Sequence, residues 1–124
     1  MPKNPEVERY LPLTEPVFHV LLALADGDKH GYAILKEVAE RTGGKVQLSS
    51  GTLYAIIKRL LTDGLIEEIE DRPTHDDERR RYYRLTQFGR QVAAAEAERM
   101  EQLLFAAKEK RLIRKLRHAW GRSR

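Results

Sequence analysis

A mainly α-helical domain with one small two-stranded antiparallel hairpin is the fold class that the 124 residues predict. Three observations carry that expectation. Apolar residues recur at helical spacing in four separate blocks, two short strand-like runs stand between the third block and the fourth, and glycines or hydroxyl residues punctuate the joins.

The first 12 residues hold three prolines and little periodic pattern, so residues 1–13 read as a flexible arm that ends at a cap, Thr14. Glu15 and Pro16 suit the first turn of a helix that continues through VFHVLLALA and stops at Asp26-Gly27-Asp28. That helix is apolar nearly all round, which in so short a chain points to cover from a second subunit. His30 to Thr42 forms the second helix, with Ile34, Leu35 and Val38 inward and Gly43-Gly44 as its stop. Ser49 or Ser50 caps the third, over 49–63, where Leu53, Ile56, Ile57, Leu60 and Leu61 make a full apolar stripe and Gly64 ends it. Leu65–Glu70 and Arg81–Thr86 are the strand-like runs, joined by the charged tip DRPTHDDERR, with Tyr83 and Leu85 inward and Tyr82 outward. Thr86 then caps a long last helix whose Ala93, Ala97, Met100, Leu104 and Ala107 alternate in spacings of four and three, a seam of mostly small residues suited to close helix approach. Leu112, Ile113, Leu116 and Trp120 continue an apolar stripe in another phase.

Composition narrows the chemistry. With no cysteine, disulfide scaffolds, thiolate zinc sites and thiol nucleophiles are excluded together. The four histidines, His19, His30, His75 and His118, fall on separate elements without metal-like pairing, and no paired acid and base stands out, so neither an enzyme nor a cofactor is expected. No apolar run approaches the roughly 20 residues of a membrane span, and MPKNPEVERY has charges where a signal peptide needs an apolar stretch, so a cytoplasmic location is expected. The formal net charge of +4 divides unevenly: Met1–Ala107 holds 15 basic against 18 acidic residues, and Lys108–Arg124 holds 8 against 1. Such a basic tail either attracts a polyanion or solubilises a helix that docks on a partner subunit.

Three helices followed by a hairpin is the order of a winged helix-turn-helix, whose third helix enters the DNA major groove. With Leu53 centred on the core, steps of roughly 100° put Gly51, Ala55, Lys58 and Thr62 on the far side, flanked by Thr52, Tyr54 and Arg59. The small residues let backbone approach a groove wall, the hydroxyls of Ser49, Ser50 and Thr52 stand beside the free N–H groups of a helix start, and Lys58 adds a charge one turn on. The bland reading of the same residues is a cap and a solvated face. The hairpin and the preceding helix tip the balance toward double-stranded DNA.

Three ordered motifs, HGYAI at 30–34, SSGTLYAIIKRLLTDGLI at 49–66 and RRRYYRLTQFGR at 79–90, resemble the PadR-type transcriptional regulators, in a smaller subfamily with a single C-terminal helix. The resemblance covers about residues 13–107. It implies a winged-helix domain over 14–85, a homodimer made through the first and last helices, and repression by binding an operator, for which a two-fold dimer demands an inverted repeat. By that resemblance Tyr32, Ser50, Thr52, Tyr54 and Lys58 touch or position DNA, with Ser49 and Arg59 beside them, and Arg79, Arg80 and Arg81 serve the wing. The dimer would use Val17, Leu21, Ala93, Ala97, Met100, Leu104 and Ala107, within a last unit spanning 86–124. The sequence departs from the family in its wing, where Asp76, Asp77 and Glu78 stand and no glycine occurs between Gly64 and Gly89. Met100 and alanines at the expected dimer centre also disfavour a stacked planar drug there, and no effector is specified. The competing class is a winged helix that binds another protein and lacks strong DNA affinity.

Overall fold

The computed structural model describes residues 4–69 and 81–113. Its elements are α1 (Pro5–Glu8), α2 (Glu15–Leu24), β1 (Lys29–His30), α3 (Gly31–Arg41), α4 (Ser50–Thr62), β2 (Ile66–Ile69), β3 (Tyr82–Leu85) and α5 (Gln87–Glu109). Side-chain caps open the four longer helices. Thr14 accepts from the Val17 amide, His30 from Ala33, Ser49 from Thr52 and Thr86 from Gly89. The C-terminal ends share one device too. At Gly43, Gly64 and Arg111 the backbone turns left-handed, and the next amide reaches back to a carbonyl five residues earlier: Gly44 to Ala39, Leu65 to Leu60 and Leu112 to Ala107. Arg111 at φ 63° is the non-glycine case, and its turn ends α5 at Glu109 and explains why the apolar stripe changes phase at Leu112.

Three points differ from the sequence reading. The sheet has three strands in the order β1-β3-β2, because Lys29 and His30 pair with Tyr83 and Tyr82. Two residues are too few to show a period of their own. Within the arm expected over residues 1–13, the described residues 4–13 are tied down: Asn4 caps α1, Val7 is 5% exposed, and Tyr10 meets Phe88 edge-on at 5.8 Å. The prolines that suggested mobility include Pro5, which opens α1 at a position where no backbone donor is needed.

The third correction concerns α2. Its Val20, Leu21, Ala23 and Leu24 are all at most 2% exposed within one subunit, because α3, α5 and β3 pack around them. Leu21, at 0%, has no surface left for a dimer partner, whereas Val17, Phe18 and Leu22 of the same helix are only partly covered by the chain's own elements. Val17 and Ala93 also pack partly against the same core, which Ile34, Val38, Leu53, Ile57, Leu60, Leu65, Ile66, Tyr83, Leu85 and Val92 complete. His19 lies between α2 and α3, where its carbonyl accepts from Arg41 at 3.0 Å.

Two contacts lock α5 to this body. The Leu65 carbonyl accepts from both the Thr86 amide at 3.0 Å and the Thr86 hydroxyl at 3.1 Å, and a Cβ on Gly89 would run into that same carbonyl. Farther along, Glu96 is 0% exposed, takes two hydrogen bonds from Arg99 at 2.9 and 2.8 Å, and faces the Leu13 amide. Arg99 holds the Glu96 carboxyl below its ordinary value of 4.5, burial opposes it, and the Leu13 N–H adds to it.

Replacing Gly89 by Ala forces backbone against backbone, and we expect a loss of about 1–3 kcal/mol in denaturant unfolding. Gly51→Ala, whose added carbon meets nothing closer than 4.0 Å, is the control and should leave stability equal or slightly higher. For Glu96, a lowered folded-state pKa means stabilisation that is present above 4.5 and is lost as pH falls through the folded value. The stability gap between wild type and Glu96→Gln should therefore shrink below that pH. A gap that stays constant from neutral to acid pH would show that the carboxylate charge contributes nothing.

Candidate nucleic-acid interface

The hydrophobic stripe of α4 fixes which residues face out. Leu53, Ile57 and Leu60 are at most 4% exposed, so Ser50, Gly51, Thr52, Tyr54, Ala55, Lys58, Arg59 and Thr62 are left on the surface. Ser49 donates its hydroxyl to Thr52 Oγ1 at 3.0 Å and accepts from the Thr52 amide at 3.0 Å. Ser49 is therefore the cap, and the Thr52 hydroxyl keeps its proton for an outside acceptor. The amides of Ser50 and Gly51, in the first turn, have no acceptor among the described residues, and the helix dipole adds positive potential there.

The exposed cations differ in freedom. Lys58 has no ion-pair partner among the described residues, whereas Arg59 reaches Asp63 at 3.3 Å. Arg81, at the base of the wing, approaches Glu68 at 3.7 Å, and Arg84 binds Asp28 at 3.2 Å with Glu67 at 3.8 Å. Pairs this exposed contribute about 0–1 kcal/mol each, so a phosphate can compete for these arginines. Arg79 and Arg80, with the acidic tip of the wing, lie outside the described residues, as do Trp120 and most of the basic tail.

Aromatic residues gather where α3, α4 and the sheet converge. Tyr32, 67% exposed, stacks on His30 with ring centres 6.5 Å apart and planes at 15°. His30 meets Tyr82 edge-on at 5.3 Å, a consequence of the β1–β3 register that sets these two residues opposite each other. Its Nδ1 accepts from the Ala33 amide at 3.2 Å, which in the neutral ring puts the proton on Nε2. Tyr54 leans from α4 toward the start of α3, with its hydroxyl over Gly31, and stays half exposed. Tyr83, beneath this cluster, is 3% exposed; burial pushes its phenol pKa up, and neighbouring Glu68 and Tyr54 push it the same way. It is therefore a neutral hydroxyl at physiological pH.

Of the residues expected at DNA, Tyr32, Ser50, Thr52, Tyr54 and Lys58 thus share one surface. The residues that the sequence reading missed there are Gly31, His30 and Tyr82. Only the β1–β3 pairing brings His30 to Tyr82, and a two-residue strand leaves no signal in the sequence. Of the residues expected at the dimer contact, Ala97, Met100 and Leu104 are exposed on α5, where they line a shallow, open surface with Ala94, Glu98 and Glu101; Leu103 is exposed beside them. No helix among the described residues is long and apolar enough to cross a membrane.

Comparison with known proteins agrees with this fold. A transcriptional regulator of Mycobacterium tuberculosis is 35% identical over 85 residues, which cover 68% of this chain and 75% of that one. A protein of Lysinibacillus sphaericus is 34% identical over 71 residues, and the match spans 57% of this chain and 64% of that protein's length. Among solved structures, a PadR family transcription regulator from Clostridium difficile superposes with a TM-score of 0.66 at 26% identity, covering 75% of this chain and 94% of that one. The Bacillus subtilis PadR solved in complex with operator DNA shares the fold at 22% identity and a TM-score of 0.59, over 66% of this chain and 46% of that one. The model of the transcriptional regulator PadR-like family matches residues 20–95, more than half of the chain, and the chain belongs to that family.

Proposed function

We propose that this chain is a DNA-binding repressor that acts as a homodimer and reads an inverted-repeat operator with α4 of each subunit. The observation that carries the reading is the division of α4: one side is buried in the core, and the other offers the Thr52 hydroxyl, the half-exposed Tyr54 ring, and first-turn amides and a Lys58 ammonium that have no partner among the described residues. Free amides and Lys58 suit phosphate, while Thr52 and Tyr54 suit base edges. The family relationship supports the same reading, as does the Bacillus subtilis relative that was solved with its operator.

Dimerisation is supported by α5. Beyond Glu96 the helix runs past the body of its own subunit, and Met100, Leu103 and Leu104, which share one face of it, are 38 to 58% exposed. An apolar face of that length on a 23-residue helix is best covered by the same face of a second copy, since a two-fold axis pairs one patch with itself. Two recognition helices related by that axis would meet one side of a duplex when half-sites lie about 10 base pairs apart, or a multiple of it.

The test is a selection of fragments from random-sequence duplex DNA, followed by affinity measurement over a range of salt. Lys58→Ala should weaken binding to all sequences and lower the slope of log affinity against log salt by about one. Tyr54→Ala should cost about tenfold or more on the selected fragment and flatten its preference over scrambled DNA. Unchanged affinity in both variants would reject α4 as the reader. For the dimer, Met100→Glu with Leu104→Glu should convert the sedimenting species from dimer to monomer at micromolar concentration. A wild type that sediments as a monomer would refute the assembly.

A further inference from the structure

Gly31 occupies a position where its own backbone gives no reason for glycine. It is the first residue of α3, capped by His30, and its φ is not among the positive values that Gly27, Gly43, Gly44 and Gly64 adopt. Alanine there would favour the helix by as much as about 1 kcal/mol. Gly31 is nevertheless buried, and a Cβ built on it would collide with the Tyr54 hydroxyl and come within 2.8 Å of Tyr54 Cζ. The three nearest atoms all belong to Tyr54.

We infer that Gly31 is a positioning residue for the DNA-facing side of α4: its missing side chain is the seat that holds the Tyr54 phenol against the start of α3. This rests on the reading of α4 as the DNA reader. Tyr54 extends from the flank of α4 that adjoins the start of α3, and without a seat its half-exposed ring would be free to turn about χ1. Seated on Gly31, it projects from a fixed place while about half of its surface stays exposed. Tyr32, the next residue, turns the other way to stack on His30, so Gly31 divides the two exposed tyrosines of this surface. A ring held before binding loses less entropy on meeting a base edge, and its fixed direction discriminates between sequences.

The inference has a signature that a structural glycine lacks. The atoms opposite Gly31 are the far end of a side chain with solvent beside it, so Gly31→Ala should displace Tyr54 and leave the fold intact, with a thermal midpoint equal to or above that of the wild type. On the duplex selected by the wild type, Gly31→Ala should lower affinity about as much as Tyr54→Ala, tenfold or more. In a Tyr54→Ala background Gly31→Ala should add nothing, because the ring it displaces is gone. The ring resonances of Tyr54 in the free protein, assigned by comparison with Tyr54→Ala, should move on Gly31→Ala. Additive losses in the double variant, or a Gly31→Ala protein that fails to fold, would overturn the inference by showing that Gly31 supports backbone. If Tyr54→Ala lowers affinity and Gly31→Ala does not, the positioning role fails and the reading of α4 stands. If the wild type selects no DNA, that reading fails, and unmoved Tyr54 resonances in the free Gly31→Ala protein would then dismiss the seat as well.

Discussion

The carbonyl of Leu65 is the contact on which the arrangement of this subunit depends. The Leu65 amide closes the end of α4 through the Leu60 carbonyl, its side chain is 1% exposed in the core, and its carbonyl receives both the amide and the hydroxyl of Thr86. The end of α4, the start of β2 and the start of α5 therefore meet at one residue. Thr86 contributes more than a cap: its one hydroxyl proton is shared between the Gly64 carbonyl at 2.7 Å, the nearer acceptor, and the Leu65 carbonyl at 3.1 Å, so the side chain that starts α5 also serves the turn that stops α4. Gly89 lets the first turn of α5 come down onto that carbonyl. Helix α5 is in this way registered against α4 by backbone contact rather than by compliant side chains.

That rigidity bears on electrostatics as well. The arginines at the base of the wing are held by acids of the same subunit, Arg81 by Glu68 and Arg84 by Asp28 and Glu67, and the residues up to Ala107 carry more acids than bases. Under the proposed function the body attracts a polyanion weakly, and selectivity falls to the short-range groups of α4. The 8 basic residues from Lys108 onward are the natural source of long-range attraction under that proposal, and they begin in the last turn of α5.

Periodicity made the helices legible because burial and period report the same physics. Leu53, Ile57 and Leu60 are core at the spacing that marked them, and Thr14, Ser49 and Thr86 cap where a hydroxyl precedes an apolar block. The strand alternation likewise separated Tyr83 and Leu85 from Tyr82. What was illegible depends on contacts between distant parts of the chain. A uniformly apolar α2 looks the same whether its cover comes from a partner or from α3, α5 and β3, so Leu21 was assigned outward although it is fully buried. Glu96 reads as one more charge on a surface helix until Leu13 and Arg99 are seen to enclose it. Gly31, inside a recognised motif, gave no hint of Tyr54, which lies 23 positions along the chain.

The same geometry gives the proposed dimer a means of controlling DNA contact. Because α5 is anchored at Leu65, one turn beyond the end of α4, and passes without interruption to Ala97, Met100 and Leu104, the surfaces that would meet the partner and the duplex belong to one rigid frame. A change in how two α5 helices cross would thus alter the separation of the two α4 helices with little repacking inside either subunit. Half-site spacing is the property most sensitive to such a change, since the two readers must reach the same side of the duplex together. Helix α1 stiffens the frame further: Val7 is buried, Tyr10 packs on Phe88, and the Leu13 amide meets Glu96, so the N-terminal segment clamps α5 along the stretch between its anchor and its exposed face. The segment that its prolines mark as a loose arm is in mechanical terms part of the support of α5.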